Sequence, residues 1–210
     1  INILLFIDAR LSEGALARAL VTCTEAKTAA IQELLVPSCY SSGLATGSGT
    51  DGTIIITNPQ SKVRLSEVGK HFKLGELIGR TVIAAVKEAL FLETGLSPER
   101  QMDIIGRMGR FGVTEAVLAA RLEANGLSFD KLAYRFEHLR RNRMLVIRTS
   151  FYAHLLDQLS WGMVNEEDAL GEAAVILALM GMDSSELNKS SNVYQAMINA
   201  YINGLVKLLI

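Results

Sequence analysis

Little in this 210-residue chain is in excess, and each scarcity narrows what it can be. Two cysteines, Cys23 and Cys39, are too few for a disulfide framework and read as reduced thiols of a cytoplasmic protein. No further Cys or His joins them at zinc-ligand spacing, so neither a metal site nor a resident cofactor is expected. Charge of one sign is also lacking: twenty-one Lys and Arg face twenty-two Asp and Glu. Divided at Thr94 they count nine against nine, then twelve against thirteen. Neither half is a polycation or an acidic tail, so neither nucleic acid nor an anionic membrane is an expected partner. The longest strongly apolar run, "AAVILALMGM" from Ala173 to Met182, is about half the length needed to cross a bilayer. The opening "INILLFIDARL" has no basic region and is interrupted by Asp8, unlike a secretory signal. It starts without Met and inside a strand pattern, which leaves room for a segment upstream.

What the chain does have is apolar residues, half of the total, enough to bury a substantial core. Ile1 to Asp8 predicts a buried strand. Ser12 reads as an N-cap for a helix over "EGALARALVTCTEAKTAAIQELL", which should end before Pro37. Pro37 to Gly52 is a Ser/Gly-rich loop, "TIIIT" at residues 53–57 is a β-branched strand, and "KVRLSEV" is its expected partner strand. A helix follows from about Lys73 to Leu92. From Thr94 the character changes. "PERQMDIIGRMGRF", "TEAVLAARLEA", "SFDKLAYRFEHLRRNRMLVIRTSFYAHLLDQL", "NEEDALGEAAVILALMG" and "SELNKSSNVYQAMINAYINGLVKLLI" each predict a helix, the first with Ser97 as cap and Pro98 at its first position. The expected fold is thus a mixed α/β part over residues 1–93, with a short-stranded sheet and two long helices, followed by an all-α region over 94–210.

Three polar blocks stand out. "LATGSGTDG", residues 44–52, puts three glycines in six residues. It suits a plain turn, or an anion nest of backbone N–H groups. It lacks the Lys of a phosphate loop and the spacing of a nucleophile elbow. "TCTEAKTAA" places Glu25 on one helix face with Thr22 or Thr28; a solvated stripe is the plain reading. "GKHFKLGELIGR" sets His71 just ahead of a helix, where an imidazole can serve as acid or base. Glu76 and Arg80, four apart, suit a helical ion pair. The Arg135, Arg140, Arg141, Arg143 and Arg148 cluster reads as a solvated or docking face, and His138 and His154 as structural residues within helices.

In this order, "CTEAKTAAIQEL" (Cys23 to Leu34), "LATGSGTDG" (Leu44 to Gly52) and "GKHFKLGELIGRTVIAAVKEAL" (Gly69 to Leu90) resemble the CbiZ family, the adenosylcobinamide amidohydrolases. The likeness runs over residues 1 to about 93. It implies hydrolysis of the amide joining the aminopropanol arm to the corrin ring of adenosylcobinamide. The products are adenosylcobyric acid and 1-amino-2-propanol, and the step serves corrinoid salvage. Cobalt would enter only within the substrate. Two departures stand beside the resemblance: members carry a segment upstream of the "INI" strand, and no family role attaches to the helical region after Thr94.

Amide hydrolysis needs a nucleophile, donors for the oxyanion and an acid for the departing amine. The candidates follow from residue type and block. Glu25 is the expected general base and His71 the acid. Asp51 is a carboxylate to orient His71. Thr46, Ser48 and Thr50 are alternative nucleophiles. The loop amides at Gly47 and Gly49 are oxyanion donors. Lys27, Lys73 and Glu76 complete the set of substrate contacts. A corrinoid-binding module without catalysis, or an interaction domain docking through the arginines, are the alternatives; a homo-oligomer is compatible with either.

Overall fold

The apolar opening forms β1 (Asn2–Ile7), and "GTIIIT" forms β3 (Gly52–Thr57). They pair in parallel, with Leu4 opposite Ile54 and Phe6 opposite Ile56. Between them run a two-residue strand, β2 (Arg10–Leu11), and the long helix α1 (Glu13–Glu33). A second two-residue strand, β4 (Arg64–Leu65), precedes α2 (Lys73–Thr94). These elements make up one of two compact units, Ile1–Arg100, in a computed structural model that describes residues 1–210; the other is Gln101–Ile210.

Strand alternation sorts the sheet. Leu5 and Ile7 are buried with Ala15, Ala19, Ala26 and Ala30 of α1 and Ile78, Val82 and Val86 of α2. Leu4 (63 % exposed) and Phe6 (71 %) point to the opposite, open face, as does Ile54 (57 %). Ala15, Ala19, Cys23, Ala26 and Ala30, at spacings of three and four on α1, put little bulk on its inner stripe, so neighbouring elements approach closely. The expected pairing of "KVRLSEV" with "TIIIT" does not occur. Only Arg64–Leu65 is extended, and it pairs in parallel with Arg10–Leu11 instead, in a sheet separate from β1 and β3.

The second unit is helical: α3 (Ile104–Met108), a 3₁₀ turn at Gly109–Phe111, α4 (Glu115–Glu123), α5 (Phe129–Arg140), α6 (Arg143–Ser160), α7 (Glu166–Leu179), a 3₁₀ turn at Ser185–Asn188, and α8 (Val193–Leu209). α8 is buried on most sides and supplies Met197, Tyr201 and Leu205 to the core. Three expected helices are shorter than their apolar pattern. The stretch after Ser97 is a turn in which the Ser97 hydroxyl accepts the Arg100 amide at 3.2 Å; the helix starts at Ile104, capped by Asp103. The run 128–159 breaks at Asn142, whose side chain accepts the Leu145 amide at 3.0 Å and starts α6 anew. The run from Ser185 likewise breaks, and Asn192 caps α8 by accepting the Gln195 amide at 2.9 Å. No helix is long and apolar enough to cross a membrane.

Candidate functional site

The site is organised by one stretch of α1. Ser12 caps this helix by accepting the Ala15 amide at 3.2 Å. It ends at Glu33, and the chain turns at Leu35, a left-handed residue with φ 53°, just ahead of Pro37. On the outward side, Leu20, Val21, Thr24, Glu25, Thr28, Ala29 and Gln32 line a shallow groove of about 500 Å³. Leu20 and Val21 are each nearly half exposed there. On the inward side, Thr22 and Lys27 are buried, an uncommon setting for a lysine.

Four polar residues of this stretch hold two segments of the chain. The Thr22 hydroxyl donates to the Val68 carbonyl at 3.4 Å, and the Thr28 hydroxyl to the Thr46 carbonyl at 2.8 Å. Lys27 donates to Asp51, and Glu25 pairs with Lys70 at 3.1 Å. Thus residues 22–28 bond both to the glycine-rich loop and to the segment that leads into α2.

The loop begins as a small hairpin. Pro37 and Leu44 bridge, and the Ala45 amide donates to the Val36 carbonyl at 2.8 Å. It then turns at Ser48–Asp51. The Asp51 carboxylate accepts from the Ser48 amide at 3.0 Å, from the Ser48 hydroxyl at 2.6 Å, and from Lys27. Burial alone would raise this carboxyl, but the hydrogen bonds from Lys27 and Ser48 outweigh it and hold it below the usual carboxylate range. The Ser48 amide is thereby occupied. The amides of Gly47, Gly49 and Thr50 have no acceptor in the protein.

Two glycines here are required by space. A Cβ on Gly47 would stand 3.1 Å from the Lys27 ammonium and collide with the Asp51 carboxylate. A Cβ on Gly75, in the first turn of α2, would lie 2.6 Å from the Val68 carbonyl oxygen and run into that of Gly69. Gly75 therefore lets α2 start directly against the 68–71 segment. Gly49, by contrast, has nothing within 4 Å and no left-handed φ.

Glu25, expected as base, is exposed in the groove. His71 is exposed and immediately follows Lys70, the partner of Glu25, but it does not line the groove. Asp51 does not orient His71; it is consumed by Lys27 and Ser48. Lys27 is not turned outward to a substrate; its ammonium is buried on Asp51. Lys73 pairs with Glu76, which also meets Arg80 at 3.4 Å. Lys73, by hydrogen bond and by charge, and then Arg80 hold the Glu76 carboxyl below its ordinary value. Thr46, Ser48 and Thr50 are exposed. No group of three or more His, Cys, Asp or Glu is placed to hold a metal ion. Sequence reasoning missed Lys70, whose pairing with Glu25 spans 45 positions and follows no local spacing rule.

Residues 1–98 match the family model described as CbiZ, adenosylcobinamide amidohydrolase. A protein of Methanocaldococcus jannaschii described as uncharacterized protein MJ1613 is 45% identical over 91 residues, covering 43% of this chain and 35% of that protein. The chain thus spans about a third of the length of that relative. No solved structure matches the chain. The likeness to that family is thus confined to residues 1–98, just under half of the chain.

Proposed function

We propose that the N-terminal unit acts in amide hydrolysis on a corrinoid, releasing 1-amino-2-propanol from adenosylcobinamide. The observation that carries this reading is the bonding of both loop blocks to residues 22–28 of α1. The family match over residues 1–98 supports it.

Water adds to the amide carbonyl carbon, the C–N bond breaks, and the products are a carboxylic acid and an amine. Glu25 takes the water proton, since it is the carboxylate that faces the groove. Asp51 is a poor base, because Lys27 and Ser48 already hold it as a fixed anion. For the same reason Ser48 serves the turn rather than the attack. Amides of Gly47, Gly49 and Thr50 are the donors available to the oxyanion, and one such donor is worth roughly 3 to 4 kcal/mol of barrier. His71 supplies the proton to the leaving nitrogen. Lys73 and Glu76 lie on the first turn of α2 and offer polar contacts to the corrinoid.

The test is release of free 1-amino-2-propanol from adenosylcobinamide. Glu25→Gln and His71→Ala should each lower turnover by about a hundredfold or more. If both variants stay within a few-fold of wild type, the assignment of roles is wrong. The half-exposed Leu20 and Val21 in the groove favour a second reading, in which the unit holds the corrinoid without cutting it. Saturable binding with no amine released decides for that reading.

A further inference from the structure

We propose that Lys27 is a positioning residue, a buried strut that holds the 46–51 loop through Asp51 and thereby sets the amides of Gly47, Gly49 and Thr50 for the reaction. The proposal rests on the hydrolase reading above and assigns it a residue that touches no substrate.

A buried ammonium is costly unless paired and hydrogen-bonded. Lys27, with a side chain only 7% exposed, meets that need with Asp51, 24 positions further on. Asp51 in turn closes the turn at Ser48 through two bonds, one to the amide and one to the hydroxyl. A single lysine in the rigid middle of α1 therefore determines the conformation of a loop that has no secondary structure of its own beyond the short bridge. The Thr28 bond to the Thr46 carbonyl fixes the near end of the same loop.

Gly47 supplies an independent line. Its φ is not left-handed, so the backbone does not require glycine there. Space does: its Cβ position is filled by the Lys27–Asp51 pair. The loop backbone lies directly against the strut. Gly49 has neither constraint, and a methyl group there meets no protein atom. The two glycines thus separate the strut from the reacting side. Gly47→Ala should disturb the loop from below, while Gly49→Ala should leave the fold intact.

The experiment uses the full chain and two readouts. Hydrogen exchange follows the bonded amides of Ala45, Ser48 and Gly52, and steady-state kinetics follow amine release from adenosylcobinamide. In Lys27→Met, exchange at Ser48 should quicken at least tenfold while the amides of α2 keep their wild-type rates. The turnover number kcat should fall at least tenfold, with KM within threefold. Asp51→Asn, nearly isosteric, should reproduce both effects, and the double variant should be no worse than the more severe single one. Gly49→Ala should keep wild-type exchange while lowering kcat. Unchanged exchange at Ser48 in both single variants overturns the strut. Additive effects in the double variant overturn the pairing. Faster exchange with unaltered kcat in an active protein overturns the loop's part in the reaction. If the wild type releases no amine, the hydrolase reading fails, and exchange at Ser48 still decides whether Lys27 positions the loop.

Discussion

In the helical unit, buried polar groups bond to other helices. The Tyr152 hydroxyl donates to the Met197 carbonyl at 2.8 Å, Thr149 and Tyr201 hydrogen-bond at 2.8 Å, and Arg140 meets Asp103 at 2.6 Å. Burial pushes both tyrosine hydroxyls above their ordinary values, so they stay neutral. In the N-terminal unit, the buried polar groups of α1 bond instead to loops: Thr22 to Val68, Lys27 to Asp51. The cores differ in the same sense. One is packed with Met197, Leu205 and two tyrosines, the other with alanines and two short strands whose second face is open. The first arrangement fixes helices against helices. The second uses a helix as a rigid ruler along which loops are set, which suits a scaffold for chemistry.

The largest effect expected from breaking this contrast lies in the helical unit. Leu205 is fully buried in α8, and Leu205→Ala should cost about 2 to 5 kcal/mol. Denaturant unfolding followed by exchange at α8 amides measures it. Exchange at Ser48 and Gly52 of the loop should be unaltered well below the new midpoint. Loss of loop protection in this variant would erase the distinction between the two regions.

Next comes Gly75→Ala, expected to cost about 1 to 3 kcal/mol, because the added methyl group meets the backbone carbonyls of Val68 and Gly69, which cannot swing aside as a side chain can. The N-terminal unit should lose stability, and amine release should fall with it as the 68–71 segment carrying His71 is displaced. A smaller loss, about 1 kcal/mol, is expected from Asn142→Ala, which removes the cap of α6. That change belongs to the helical unit and should leave turnover at the wild-type value; a matching fall in turnover would count against placing the chemistry in residues 1–98.

Much of this fold is legible in the sequence, because continuous apolar runs and helical periods are local signals. β1, α1, β3 and α2 stand close to where "INILLFID", "EGALARALV", "TIIIT" and "KLGELIGR" predict them. The differences in helix length share a cause. Ser97 before Pro98 and Asn142 amid arginines use one chemistry, a side-chain oxygen accepting a backbone amide, and it closes a turn as readily as it starts a helix. β4 was misassigned because the partner of a two-residue strand is set by tertiary packing. At the candidate site, residue types in the three blocks are visible, but partners are not. Nothing in "TEAKT" says that its lysine turns inward to Asp51 while its glutamate turns outward to Lys70.

The smallest effect sharpens the comparison through salt and acid. Each unit contains an aspartate held well below its ordinary value. Asp51 is lowered against the opposing effect of burial, by Lys27 and Ser48. Asp183 is lowered by the Lys207 hydrogen bond first and then by Ser185. A depressed carboxyl contributes stability that is present above its unfolded value, about 3.9, and is lost as pH falls below that toward the folded value. Both units should therefore weaken as pH drops through about 4. Their salt dependence should differ. Asp183 and Lys207 are 46% and 58% exposed, whereas Asp51 and Lys27 are 22% and 7% exposed. At 1 M salt the screening length is about 3 Å, enough to quench an exposed pair but not a buried one. Thermal melts from pH 6 to pH 3 at low and high salt should show Asp183→Asn moving toward wild type at high salt, where only the Ser185 bonds still lower Asp183, while the Asp51→Asn difference from wild type is nearly unaltered by salt. If the Asp51→Asn difference also vanished in salt, water would have to reach the Lys27 ammonium, and α1 would not be holding the loop from a buried position.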